Sequence, residues 1–160
     1  MSRFLLASSA LFLAVAASWA QPESGFVLGE RTPLLAAGAE AIRAGRYDDG
    51  IRLTREGLDT ESVSAWMRAA ALANLCAAHA ANGDPDGAIR YCNDSLAVDA
   101  RNWRAFSNRA FAYWLKGQYA EAAADLELAA ELAPNAPQVR QIRALINERT
   151  LQPQVTMEDR

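Results

Sequence analysis

Hydrophobic and small residues recur at helical spacing along this chain from Pro33 to about Arg149, in segments separated by glycine or proline. The clearest segment runs from Trp103 to Pro134. In its first half Phe106, Ala110 and Tyr113 fall on one helical face, and in its second half Ala122, Leu126, Ala129 and Leu132 do the same. Lys116-Gly117-Gln118 divides the halves, because glycine suits the positive φ of a helix C-terminus, and Pro134 stops the second helix. The pattern predicts two antiparallel helices.

The same pattern appears twice upstream. Leu34, Ala37, Gly38 and Ala41 form a face that breaks at Gly45, and a helix starting at Asp48 or Asp49 carries Ile51, Leu53, Thr54 and Leu58. Gly38, Gly50 and Gly57 stand where close helix packing wants small side chains. In the middle unit, Asp84 followed by Pro85 is an N-cap with proline at the first helical position. A shift of 34 residues sets Gly83 under Gly117, Ala88 under Ala122, Asn74 under Asn108 and Val98 under Leu132. Between Gly45 and Gly83 the spacing is 38, and the surplus adds about one helical turn. One long helix is therefore expected from about Ser62 to Ala81, with Trp66 and Met67 on the added turn. Ala100 takes the place that Pro134 has in the last unit. Beyond Pro134, Asn135 and Gln138 approach a capping box, and Val139, Ile142, Leu145 and Ile146 make a final apolar stripe.

These residues and their period of about 34 make the chain resemble a tetratricopeptide-repeat protein. The resemblance implies an all-α, right-handed α-solenoid of about three helix-turn-helix units, at about 31–60, 62–100 and 103–134, closed by a capping helix at 136–149. Residues 32–149 would form the repeat domain and 150–160 a disordered tail.

Composition adds the compartment and removes some functions. Met1 to Ala20 has Arg3, an apolar run from Phe4 to Ala17, and small residues at Ser18 and Ala20, which reads as a Sec-type signal peptide. The alternative is a retained anchor, although the run is shorter than the ~20 apolar residues that span a bilayer. Gln21 to Arg31 is then a flexible lead-in. Nothing later is long and apolar enough for a membrane span, so the mature chain is expected in the periplasm or secreted. The net charge is −3 and Lys116 is the only lysine, which gives no electrostatic case for nucleic acid.

Candidate chemistry is sparse. Repeat register brings the only cysteines, Cys76 and Cys92, together inside one hairpin, where a disulfide and buried free thiols are both open. His79 lies one turn from Cys76, but no fourth ligand is apparent, so no metal and no cofactor are expected. Without a second histidine no nucleophile–base set forms, and an enzyme is not expected. Arg109 replaces an apolar residue; its stem is expected to pack while the guanidinium reaches out.

The resemblance also implies a concave groove lined by the first helix of each repeat. Thr32, Leu35, Ala36 and Ala39 would face it first, followed by Ala70, Ala73, Asn74, Ala77 and Ala81. Arg104, Ser107, Asn108, Phe111 and Trp114 complete the set. Asn74 and Asn108 are similar to the asparagine ladder of the protein O-linked N-acetylglucosamine transferases and to the clamp asparagine of co-chaperones. Each amide offers a donor and an acceptor to an extended backbone. Arg104 would meet a carboxylate, while Leu35 and Ala39 stand where the clamp has basic residues. The expected role is an adaptor for a peptide or protein segment. Self-association as a homo-oligomer and a thiol redox or metal function of Cys76 and Cys92 are the alternatives.

Overall fold

The computed structural model describes residues 32–151. The expected leader, the lead-in and the last nine residues lie outside that range. Within it the chain forms α1 (Pro33–Arg43), α2 (Tyr47–Thr60), α3 (Ala65–Ala81), α4 (Pro85–Val98), α5 (Trp103–Leu115), α6 (Tyr119–Leu132) and α7 (Pro137–Leu151), with no strand among the described residues. The architecture is an all-α solenoid. Helices α1 and α2, α3 and α4, and α5 and α6 pack as antiparallel hairpins, and α7 lies against both α5 and α6.

Each hairpin turns through a glycine with positive φ, at Gly45 (75°), Gly83 (82°) and Gly117 (75°). That backbone region is costly for a side chain bearing a Cβ, so the glycines fix the repeat boundaries. The core between hairpins is built mainly from alanine: Ala78, Ala88, Ala105, Ala110, Ala112, Ala122 and Ala129 are fully buried. Small side chains let the helix axes approach closely. The extreme case is the first hairpin, where a Cβ on Gly38 would lie 2.3 Å from Thr54 Oγ1.

Several boundaries differ from the sequence expectation. Helix α3 begins at Ala65, not Ser62, because Ser64 Oγ accepts the Met67 N–H at 3.2 Å and ends the extended approach. The added turn is nonetheless present, since α3 has 17 residues against 13 in α5. Helix α2 starts at Tyr47, and α7 continues to Leu151. Where Ala100 replaces the proline, side chains mark the boundary instead. Asp99 Oδ1 accepts the Arg101 N–H, Asn102 Oδ1 accepts the Arg104 N–H, and Asn102 Nδ2 donates to Ser95 Oγ at 3.0 Å.

The approach to α1 is anchored from outside its own sequence. Thr32 makes no side-chain cap; the Glu61 carboxylate in the α2–α3 connection accepts the N–H groups of Leu34 (2.7 Å) and Leu35 (3.3 Å). An acidic group at a helix N-terminus is favoured by the helix dipole. This contact fixes the start of α1 beside the segment that leads into α3.

Candidate binding groove

An open groove of about 500 Å³ runs across the inner helices of the solenoid. Leu35, Ala36, Ala39 and Arg43 line it from α1, Trp66, Met67, Ala70, Ala71 and Asn74 from α3, and Arg104 from α5. The small residues at positions 36, 39, 70 and 71 keep the floor low, and the added turn of α3 raises Trp66 and Met67 at one end. Trp66 is 59% exposed.

Two polar groups face this opening. Asn74 is half-buried and its amide makes no hydrogen bond among the described residues, so donor and acceptor are both available. The Arg104 guanidinium lies 4.4 Å from the centroid of the Trp103 ring and has no carboxylate partner among the described residues. Stacking of this kind orients the guanidinium without using its N–H groups. Arg43, by contrast, is paired with Glu40 on the exposed face of α1.

The other residues expected in the groove are elsewhere. Asn108 is 7% exposed; its Nδ2 donates to the Ala73 carbonyl at 2.9 Å and its Oδ1 accepts from Gln138 Nε2. Both halves of the amide are spent inside the protein, which corrects the two-asparagine ladder. Ser107 is fully buried and is likewise withdrawn as a peptide contact. Phe111 and Trp114 stack with ring centroids 5.9 Å apart and pack against the core that includes Ala110, Leu126 and Ile142. The physical reason is α7, which docks on α5 and places Gln138 on the Asn108 amide. Thr32 and Ala73, also expected on the concave face, are buried.

Arg43, Trp66 and Met67 were not expected as lining residues. The signal for Arg43 was available, since Leu35, Ala39 and Arg43 follow one another at four-residue spacing on one face of α1.

The remaining candidate chemistry is structural. Cys76 and Cys92 form a disulfide between α3 and α4, with Cα atoms 5.2 Å apart and both side chains fully buried. Alanine neighbours such as Ala88 permit that approach. Bonded sulfurs supply no thiolate for redox or metal chemistry. His79 Nδ1 is 2.9 Å from Asp84 Oδ2, and its ring packs 4.9 Å from Tyr91. Asp84 caps α4, with Oδ1 accepting the Gly87 N–H at 2.8 Å. That backbone hydrogen bond, followed by the one to His79, holds the Asp84 carboxyl below the usual carboxylate range.

Arg109 does not reach into solvent. Its Nε and Nη2 donate to the two oxygens of buried Asp125 at 2.6 and 2.7 Å, tying α5 to α6. The hydrogen bonds to Asp125 raise the Arg109 pKa above its ordinary value, so the pair stays ionised.

Comparison with known proteins agrees with this geometry. The family model for the tetratricopeptide repeat matches residues 75–147. A stretch of 108 residues is 32% identical to DnaJ homolog subfamily C member 3 of Homo sapiens, covering 68% of this chain and 21% of that protein. The chain thus spans about a fifth of the length of the relatives it matches. Among solved structures, the TPR domain of P58(IPK) superposes with a TM-score of 0.67 at 29% identity, over 78% of this chain and 34% of that one. The second TPR domain of human RPAP3, solved with the HSP70 peptide SGPTIEEVD, has a TM-score of 0.59 at 22% identity, over 71% of this chain and 92% of that one. Seven helices in hairpin register, glycine turns at the repeat period and these similarities lead to one conclusion: the chain is a tetratricopeptide-repeat protein.

Proposed function

We propose that this protein is a non-enzymatic adaptor that holds an extended segment of a partner protein in the groove between α1, α3 and the start of α5. The observation that carries this reading is the pairing of Asn74 with Arg104 above an apolar floor. The Asn74 amide has a donor and an acceptor for the backbone of an extended chain. Arg104 offers charged N–H groups in a fork that fits a carboxylate, whether a side chain or a chain terminus. Leu35, Trp66 and Met67 supply contact area for an apolar side chain next to that carboxylate. Binding in an orderly groove of this kind needs no reaction, and the inner face has no nucleophile–base pair among its lining residues.

The compartment belongs to the same proposal. Met1 to Ala20 reads as an export signal, and a buried Cys76–Cys92 disulfide suits an oxidising environment outside the cytoplasm. The periplasm is the preferred site of action, with secretion as the alternative.

The peptide of the RPAP3 complex is a suitable first probe, because it combines apolar and acidic side chains. The native chain should bind SGPTIEEVD saturably. An Asn74→Ala, Arg104→Glu chain should lose that binding, and Arg90→Glu on the exposed face of α4 should keep it. No binding to the native chain, or undiminished binding to the groove variant, would refute the assignment.

A further inference from the structure

We infer that the groove has an internal occupant: the chain's own segment ahead of α1, with Phe26, Val27 and Leu28 seated against Leu35, Trp66 and Met67. The inference rests on the groove being a peptide site, as proposed above, and adds that the protein competes for its own site.

The point of entry comes first. Thr32 is fully buried, and Glu61 holds the N–H groups of Leu34 and Leu35 beside the connection into α3. Ser64 caps α3 only a few residues later, and Trp66 and Met67 form its first turn. A chain arriving at Thr32 therefore enters next to the apolar end of the groove. Phe26 precedes Thr32 by six residues, an extended reach of up to about 20 Å. Gly25 and Gly29 flank the triplet and allow the backbone to turn back toward α3.

The chemistry matches as well. Between Gln21 and Arg31 the large apolar side chains are confined to Phe26, Val27 and Leu28, and Glu23 and Glu30 stand on either side. The groove has an apolar end and an Arg104 charge without a carboxylate partner among the described residues. A short tether raises the local concentration of such a segment to the order of millimolar, so weak intrinsic contacts suffice for occupancy. The consequence is a threshold. An external segment binds only by displacing the internal one, and its apparent affinity falls by the fraction of time the groove is open.

Photocrosslinking tests this. Benzoylphenylalanine at position 26 of the full chain, irradiated at low protein concentration, should link within one chain to residues Leu35–Ala39 or Trp66–Asn74. Links confined to other surfaces, links only between copies, or no links would overturn the proposal. A second arm measures binding of the acidic nonapeptide to the full chain with Phe26→Ser and Leu28→Ser. If the segment fills the groove nine-tenths of the time, affinity should rise about tenfold over the native chain. Equal binding by both chains overturns self-occupancy and leaves the groove reading standing. No binding by either refutes the groove reading, and the crosslink pattern then decides against or for the segment's position by itself.

Discussion

The amide of Asn108 donates a 2.9 Å hydrogen bond to the carbonyl of Ala73, while its oxygen accepts from Gln138. One side chain thereby connects the inner helices α3, α5 and α7. Asn74 occupies the same place one repeat earlier and makes neither bond. The difference lies 30 residues further along, where Gln138 stands over Asn108 and Arg104 stands over Asn74. Gln138 can donate to an amide oxygen across the interface. Arg104 instead stacks on Trp103, which leaves Asn74 open to the groove.

Asn108→Ala should therefore act on stability. Losing two buried hydrogen bonds and stranding the Gln138 donor should cost about 1–3 kcal/mol, read as a lower urea midpoint by circular dichroism. Once folded, the variant should bind the groove ligand as the native chain does. A selective loss of binding at unchanged stability would restore Asn108 to the groove.

The Arg109–Asp125 pair should behave as a buried ion pair. Asp125→Ala leaves the guanidinium without its carboxylate and should destabilise by about 3 kcal/mol. Arg109→Met combined with Asp125→Leu should recover most of that loss, because neither charge is then stranded. Chemical denaturation of the two single variants and the double variant measures the coupling directly.

The cysteines predict a mass and a stability. Native protein treated with iodoacetamide should remain unmodified, and reduction under denaturing conditions should expose two alkylation sites. Cys76→Ala with Cys92→Ala should lower the unfolding free energy by about 3 kcal/mol, the loop-closure contribution for a bridge across 16 residues. Alkylation without reduction would mean that the thiols are free.

Acid should weaken the second hairpin through Asp84. Its carboxyl is held below the usual range by the Gly87 N–H and then by His79. The sign follows: the stabilisation is complete above the ordinary carboxylate pKa and is lost as pH falls through the lower folded-state value. Unfolding midpoints should therefore drop below about pH 4. Asp84→Ala should cost about 1 kcal/mol at neutral pH as a lost N-cap and should flatten part of the acid limb. Urea midpoints across the acid range for both chains check it.

The repeat architecture was legible because it depends on local rules. Gly45, Gly83 and Gly117 must adopt positive φ, Asp84-Pro85 must start a helix, and the surplus between the first two glycines must lengthen one. The site was legible only in its first half. Leu35, Ala36, Ala39, Ala70, Asn74 and Arg104 line the groove as register implied. Ser107, Asn108, Phe111 and Trp114 have equivalent register positions but are covered or engaged once α7 docks. Register assigns a face, whereas exposure depends on what the next helix carries. Arg109 was misplaced for the same reason: its partner, Asp125, is on the neighbouring helix, and periodicity along one helix does not report a charge on another.

Groove binding is tested most directly by parallel capture from a native cell extract on three chains: native, Asn74→Ala with Arg104→Glu, and Leu128→Glu on the outer face. The native and Leu128→Glu chains should retain the same partner, and the groove variant should lose it with its helical content intact. Full retention of that partner by the groove variant would contradict the assignment of Asn74 and Arg104 as the binding residues.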